Sequence, residues 1–371
     1  MLTTHSTRLE RWLGASNVEH VSQAMANWYG PPIAVAGVPG EVYATGDGDF
    51  IGQIRAGWEA TWEDRARDLM HRLRRGIRTA SYSSKSTLHS LSSVADIISK
   101  ATAGKSRTFS FNKVGPTGVA DVTSTLWRVG PQPSAGSTPG GPPAGRQVDQ
   151  TIVGAFPYTL PVSPDQQFFV SAFVLGSVAG NTLLLYDRIF DIAPNMNSSA
   201  TQAVTGVPLR YQNTTGGNPD SIDGNFLFFE VGGTALAATA HNWTVCSYND
   251  QTGAAGAVPL LTGNASAIVD RLDHPNNQWF APLAVGDTGI KALTQLQLSA
   301  AVATGVCNAV IGHPLAWIPV PIASMALTID GVMTAFQLQR IFDNAALSFL
   351  EVVKPSTTAT TYTGTFTTVS G

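Results

Sequence analysis

The spacing of hydrophobic and polar positions divides the chain into a helical first part and a strand-rich remainder. Val18, Val21, Met25 and Trp28 recur at three- and four-residue steps, which is one apolar stripe of a helix. Ser16 and Glu19 stand at the spacing of a capping box, where hydroxyl and carboxylate satisfy free backbone N–H groups. A helix is predicted over residues 6–29, ended by Pro31 and Pro32. Residues 33–51 read as an extended, turn-rich arm. The strongest helical period lies in residues 52–78, where Trp58, Trp62, Leu69, Leu73 and Ile77 share a face. Glu59, Glu63, Asp64 and Asp68 fill its first half, and Arg72, Arg74, Arg75 and Arg78 its last turns, which complements the helix dipole. A further helix is predicted over 87–101, with Leu88, Leu91, Ala95 and Ile98 as its stripe and Gly104 suited to its end.

From Arg107 the period shortens to two. RTFSFNKV and DVTSTLWRV are β-branched or alternating, with a Gly-Pro-Thr-Gly turn between them. Residues 130–147, GPQPSAGSTPGGPPAGRQ, have linker composition. After about residue 151 come uncharged runs of Ala, Thr, Val and Leu separated by Gly, Asn and Asp turns, the pattern of an antiparallel sandwich or barrel. Pro314, Pro319 and Pro321 push the end of the Ile311–Val320 run towards a sheet edge. Leu338, Ile341, Phe342, Ala345 and Phe349 fall at helical spacing and predict a helix over 335–350. The Thr-rich tail predicts an edge strand, or one that pairs with a neighbouring chain.

The expected fold is therefore α+β and β-rich: N-terminal amphipathic helices and an extended arm, then an antiparallel β-sandwich or barrel-like region with a C-terminal helix and strand. The expected divisions are 1–50, helix and arm; 51–129, helical segment with β-hairpin; 130–150, linker or inter-subunit loop; and 151–371, the β-rich domain.

Charge alters this picture in two ways. Charged residues are 13% of the chain, about half the ~25% usual for globular proteins. A surface so poor in charge suits contact with other protein. The charge is also uneven: residues 1–150 carry 16 Lys and Arg against 12 Asp and Glu, the remainder 6 against 13. The basic part includes Arg65, Arg67, Arg72, Arg74, Arg75 and Arg78, a candidate surface for non-specific contact with DNA phosphates, set against a solvated helix face. Aromatic residues are not interleaved on its polar face, which argues against base stacking.

Catalytic motifs are thin. Ala103-Gly104-Lys105-Ser106 echoes the end of a phosphate loop, but Ser99 stands where its first glycine belongs and a helix precedes it. Asp47-Gly48-Asp49 lacks the further oxygen ligands of a calcium loop. The seven histidines have no metal-ligand spacing, no serine lies in a nucleophile elbow, and no carboxylate pair is nominated for glycoside hydrolysis. Cys246 and Cys307 sit in apolar runs and read as buried inert thiols. Asp187-Arg188 and Asp270-Arg271 read either as ion pairs at a boundary or as ordinary surface pairs. No cofactor and no enzymatic activity are expected. A secretory leader and a membrane span are not evident.

The phrases YDRIFDIA (Tyr186–Ala193), GDTGIKALTQLQLSA (Gly286–Ala300) and VATGVCNAVIGHPL (Val302–Leu315) resemble segments of virion structural proteins of tailed bacteriophages. The resemblance implies a capsid or head component of a phage particle, assembled in the host cytoplasm, whose partners are many copies of itself, other virion proteins and packaged DNA. It implies the tailed-phage shell fold as an alternative architecture, with residues 33–51 as its arm and 52–78 as its long helix. A second expectation is a tail, fibre or baseplate protein that binds a host surface, with Trp243, Trp279 and Trp317 as candidate contact residues.

Overall fold

The computed structural model describes residues 91, 94–117, 120–157, 161, 165–214, 220–332, 339–353 and 357–371. The chain divides into two compact units, Met1–Thr87 and Leu88–Gly371, and every described residue belongs to the second. The helices expected over 6–29 and 52–78, the arm at 33–51 and the arginine cluster all lie outside the described residues.

Among the described residues there is one α-helix, α1 (Val94–Lys100), continued by a π-turn over Ala101–Lys105. Ile97 is its buried residue, while Ala95 and Ile98, placed on the buried stripe by spacing, are exposed. Gly104, at φ 76°, ends the turn in the left-handed region that glycine enters freely. Everything else is strand and loop. In chain order the strands are β1 (Ser106–Val114), β2 (Ser124–Thr125), β3 (Pro131–Gln132), β4 (Arg146–Gln147), β5 (Gln167–Gly176), β6 (Asn181–Ile192), β7 (Gln202–Ala203) and β8 (Phe226–Val231). They continue as β9 (Asn242–Asp250), β10 (Ala255–Ala257), β11 (Leu261–Thr262), β12 (Ile290–Leu298), β13 (Cys307–Val320), β14 (Ala326–Asp330), β15 (Arg340–Ile341), β16 (Leu347–Val353) and β17 (Thr361–Ser370).

These strands build three sheets. The first runs β14-β5-β17-β1-β3, the second β10-β9-β12-β7, and the third β2-β16-β6-β13-β8. The third is shared between two cores. One end of its long strands gives Leu183, Leu185, Ile318 and Phe349 to a core with Phe111, Val174, Tyr362 and Phe366 of the first sheet. The other end gives Phe190, Ile192, Phe229 and Ile311 to a core with Trp243, Tyr248, Leu293 and Leu296 of the second sheet. Register shifts at Ile311/Gly312 and Pro314/Ala316 let β13 change direction between the two. Phe156 stands at the middle of the first core, edge-on to Phe111 at 5.8 Å, Phe349 at 5.4 Å and Phe366 at 5.3 Å.

Among the described residues the α+β class is thus corrected to antiparallel β, and no C-terminal helix is present. Where 335–350 was expected to coil, the described residues hold β15, a turn closed by the Ala345 N–H donating to the Phe342 carbonyl at 3.0 Å, and β16. The cause is that β16 is apolar on both faces. Leu347 and Phe349 enter one core, and Leu350 packs in a cluster on the other side of the sheet. A run buried on both faces loses the alternation that marks a strand, and chance spacing then mimics a helix. The tailed-phage shell alternative is overturned with it, because the described residues form three antiparallel sheets and a single short helix. The Thr-rich tail is a strand but not an edge: β17 lies between β5 and β1, with Tyr362 and Phe366 in the core. DVTSTLWRV is not the second arm of a hairpin; only Ser124 and Thr125 pair, and they pair with β16.

The prolines of β13 fall where expected, whereas the Pro/Gly segment read as a linker or inter-subunit loop makes bonds within its own chain. β8 pairs with β13 only from Cys307 to Gly312, so among the described residues the proline-bearing half of β13 pairs with β6 alone. Proline has no N–H to give to a second partner, which is why that half is open on one side. The Pro/Gly segment is tied to its own chain. Gly136 N–H donates to the Trp127 carbonyl at 2.8 Å, and the Arg146 guanidinium to Ser137 Oγ at 2.8 Å. Its glycines are there for closeness: a Cβ at Gly136 would stand 2.2 Å from the Trp127 indole, and one at Gly145 1.8 Å from the Phe190 ring.

Candidate interaction surface and its buried supports

Acidic and basic side chains of the third sheet converge inside the protein. The Arg188 guanidinium, fully buried, donates to Asp191 at 2.8 Å and to Glu230 at 2.7 Å. Asp191 also receives Arg146 through two bonds of 2.8 and 2.6 Å, and Glu230 receives the Asn308 amide at 3.0 Å. The Trp127 ring covers the Arg188 guanidinium at 4.8 Å. Burial pushes the Glu230 carboxyl upward, but the charge and hydrogen bond of Arg188, with Asn308, outweigh it and hold it below the usual carboxylate range. On the opposite face of β6, Arg210 grips Asp187 bidentately at 2.7 and 2.8 Å, and Asp187 also receives the Ala346 N–H at 2.8 Å. Asp187 and Arg188, adjacent in sequence, therefore bind different partners, as strand alternation requires. Neither is at the surface. Charges bound this way are closed to a substrate and act as fasteners between strands.

A second buried group surrounds Asp273. Its carboxylate accepts from the Trp243 indole at 2.9 Å, the Asn264 N–H at 2.6 Å and His241 Nε2 at 3.0 Å. His241 Nδ1 lies 2.9 Å from the Thr239 carbonyl. Both ring nitrogens thus face acceptors, and only the imidazolium can donate to both. Burial pushes His241 downward, but Asp273 outweighs it and the pKa is raised. His274 is held down to about 4 and His313 to about 3 by burial. His274 accepts the Phe229 N–H at 2.9 Å, and His313 stacks on Tyr211 at 3.7 Å. All three act within the interior.

The surface is where the apolar composition reaches solvent. Ile322 is 50% and Met325 56% exposed, and they lead directly into β14. β14 is an outer strand of the first sheet: its one strand partner among the described residues is β5. Ala326, Thr328 and Asp330 alternate outward along it. A cavity of about 380 Å³ opens beside it, lined by Val94 and Ile97 of α1, Val170 and Ser171 of β5, and Thr328 and Asp330 of β14. A second apolar patch holds Trp317 and Phe280.

Of the residues chosen from the sequence, Arg65, Arg67, Arg72, Arg74, Arg75 and Arg78 lie outside the described residues, as does Asp47-Gly48-Asp49. Lys105 of the phosphate-loop echo pairs with Asp165, and a strand follows rather than precedes it. Arg271 donates to the Thr117 carbonyl at 3.2 Å and Asp270 faces Arg128 at 3.8 Å, so that pair is divided too. Cys246 and Cys307 are both buried and unbridged, with their thiol pKa values raised by burial. Among the three tryptophans, Trp243 is buried, Trp279 half-buried and Trp317 exposed. The buried partners Arg210 and Glu230 and the half-buried Arg146 were not singled out by the sequence, and their one signal was a charge inside an apolar or Pro/Gly-rich run. Among the described residues no group of three or more His, Cys, Asp or Glu could hold a metal ion, and no helix is long and apolar enough to cross a membrane.

No protein-family model matches this chain, no curated protein matches it, and no solved structure matches it.

Proposed function

We propose that this protein is a non-enzymatic virion structural subunit that assembles with many copies of itself into a phage head shell. The observation that carries the reading is the outer strand β14 with the exposed apolar residues Ile322 and Met325 beside it. An outer strand with free peptide groups is a template for pairing with another chain, and soluble proteins blunt such edges with charge, Pro or bulges. β14 carries one charge, Asp330. Burial of that edge stabilises association at about 25 cal/mol per Å² before the costs of association are subtracted. The buried Arg188 and Arg210 clusters support the reading because they stiffen the body that would carry the edge. The arginine-rich segment Arg65–Arg78 would meet packaged DNA through phosphate contacts that weaken as salt rises.

Light scattering and negative-stain imaging of the purified full chain test this. The expected result is large symmetric particles that revert to small species when Met325→Lys and Ala326→Lys place charge on the edge, with circular dichroism unchanged. A wild-type chain that stays monomeric at high concentration would refute it.

A further inference from the structure

The segment Pro275–Phe280 and the outer face of β13 meet in an aromatic shelf. The Trp279 ring lies edge-on to Trp317, centroids 5.2 Å apart at 82°, and tilted against Phe280 at 4.6 Å. Behind it Trp279 rests on Phe226 at 5.0 Å, and Phe226 touches Phe228 at 5.7 Å and Tyr186 at 6.0 Å. The shelf is therefore the outer end of a ring stack rooted in the core, and its geometry is fixed before any ligand arrives. Trp317 remains 46% and Phe280 38% exposed.

The rim has a distinct chemistry. Asn276 and Asn277 are exposed and Gln278 is half-buried beside them. From Pro275 through Gly286 there is no charged residue. Asn277 takes φ 62°, and its N–H donates to the Asp121 carbonyl at 2.8 Å, which pins the loop at the rim. Open aromatic faces attract the weakly positive C–H groups of a ligand, and side-chain amides both donate and accept hydrogen bonds. A pyranose ring presents these two features together: an apolar C–H face bordered by hydroxyls. The loop itself offers no counter-charge, and Asp121, the charged residue bonded to its rim, is acidic and exposed.

We propose that this shelf binds a neutral oligosaccharide, with Trp317 against the face of one sugar ring and Asn276 and Asn277 hydrogen-bonded to its hydroxyls. The proposal does not depend on the shell reading, since binding is read on whatever assembly the chain forms.

The full chain would be titrated with cellohexaose, maltohexaose and triacetylchitotriose, following tryptophan fluorescence and heat. Saturable binding of at least one is expected, weakened about tenfold by Trp317→Ala and about threefold by Asn276→Ala. Phe173→Ala, which removes an exposed ring elsewhere, leaves binding unchanged. Failure of all three sugars to bind overturns the proposal, as does unchanged affinity in Trp317→Ala. Absence of sugar binding together with a smaller particle in Trp317→Ala would also overturn it, by making the shelf a contact between copies.

Discussion

Replacing Arg188 with Met tests the ionic cluster, and the outcome follows from its geometry. Met keeps much of the side-chain volume under Trp127 but removes the guanidinium. Asp191 retains both bonds from Arg146. Glu230 retains the Asn308 amide and the Thr125 hydroxyl, neither of them a charge, and stays fully buried. Removing one partner of a buried pair costs about 3–5 kcal/mol, because the remaining charge is left without compensation. Against a total stability of about 5–15 kcal/mol this is a large share. With a urea slope of about 3 kcal/mol per M, the unfolding midpoint falls by about 1–1.7 M at pH 8.

The pH dependence makes the test specific. In the wild type the Glu230 pKa is depressed. Its stabilisation is fully present above the ordinary carboxylate pKa of about 4.3 and is lost as pH falls through the folded value. In the variant, burial acts without Arg188 and raises the same pKa. The neutral acid is then the favoured buried form, so the variant recovers stability as pH falls towards 4.5, while the wild-type contribution of Glu230 stays complete over the same range. Arg188→Met combined with Glu230→Leu removes the stranded charge and recovers most of the loss. Urea titrations followed by tryptophan fluorescence between pH 4.5 and pH 8 measure all of this. A loss below about 1 kcal/mol, or a deficit that does not change with pH, refutes the argument.

Two other predictions concern the interior. The raised pKa of His241 means that its contribution is complete below its unfolded value of about 6.5 and is lost as pH rises through the folded value; Asp273→Asn should abolish that alkaline loss, as seen in thermal melts across pH 6–9. Gly145→Ala would place a Cβ 1.8 Å from the Phe190 ring, so a loss of at least about 1–3 kcal/mol is expected in urea, whereas Gly140→Ala, where nothing lies within 4 Å, should be near neutral.

The strands with one apolar and one polar face were legible in the sequence. β1, β9 and β12 alternate between buried and less buried positions, and period-two patterns record that. The prolines of β13 correctly marked where its second neighbour ends. What could not be read was the shared sheet, because a strand buried on both faces has no polar side, and β16 was taken for a helix for that reason. The partners of Asp187 and Arg188 were equally hidden. Arg210 and Glu230 stand 23 and 42 residues away in the chain, and nothing local in the sequence encodes a register between distant strands. The exposure of Trp317 against the burial of Trp243 was illegible too, since both sit in strands of similar composition.

The position of β17 between β5 and β1 bears on when this protein can become sticky. Ser106 pairs with Val369, so the first sheet stays incomplete until Thr361–Ser370 has been synthesised. Pairings this far apart in sequence form slowly, because the chain must close a long loop before any contact rewards it. β14 leans on β5, and β5 on β17. The strand edge that we assign to assembly is thus finished last, and a nascent chain still on the ribosome does not yet present it. If the proposed assembly holds, the topology would work as a timer, with each copy completing its own fold before it offers a partner anything to bind.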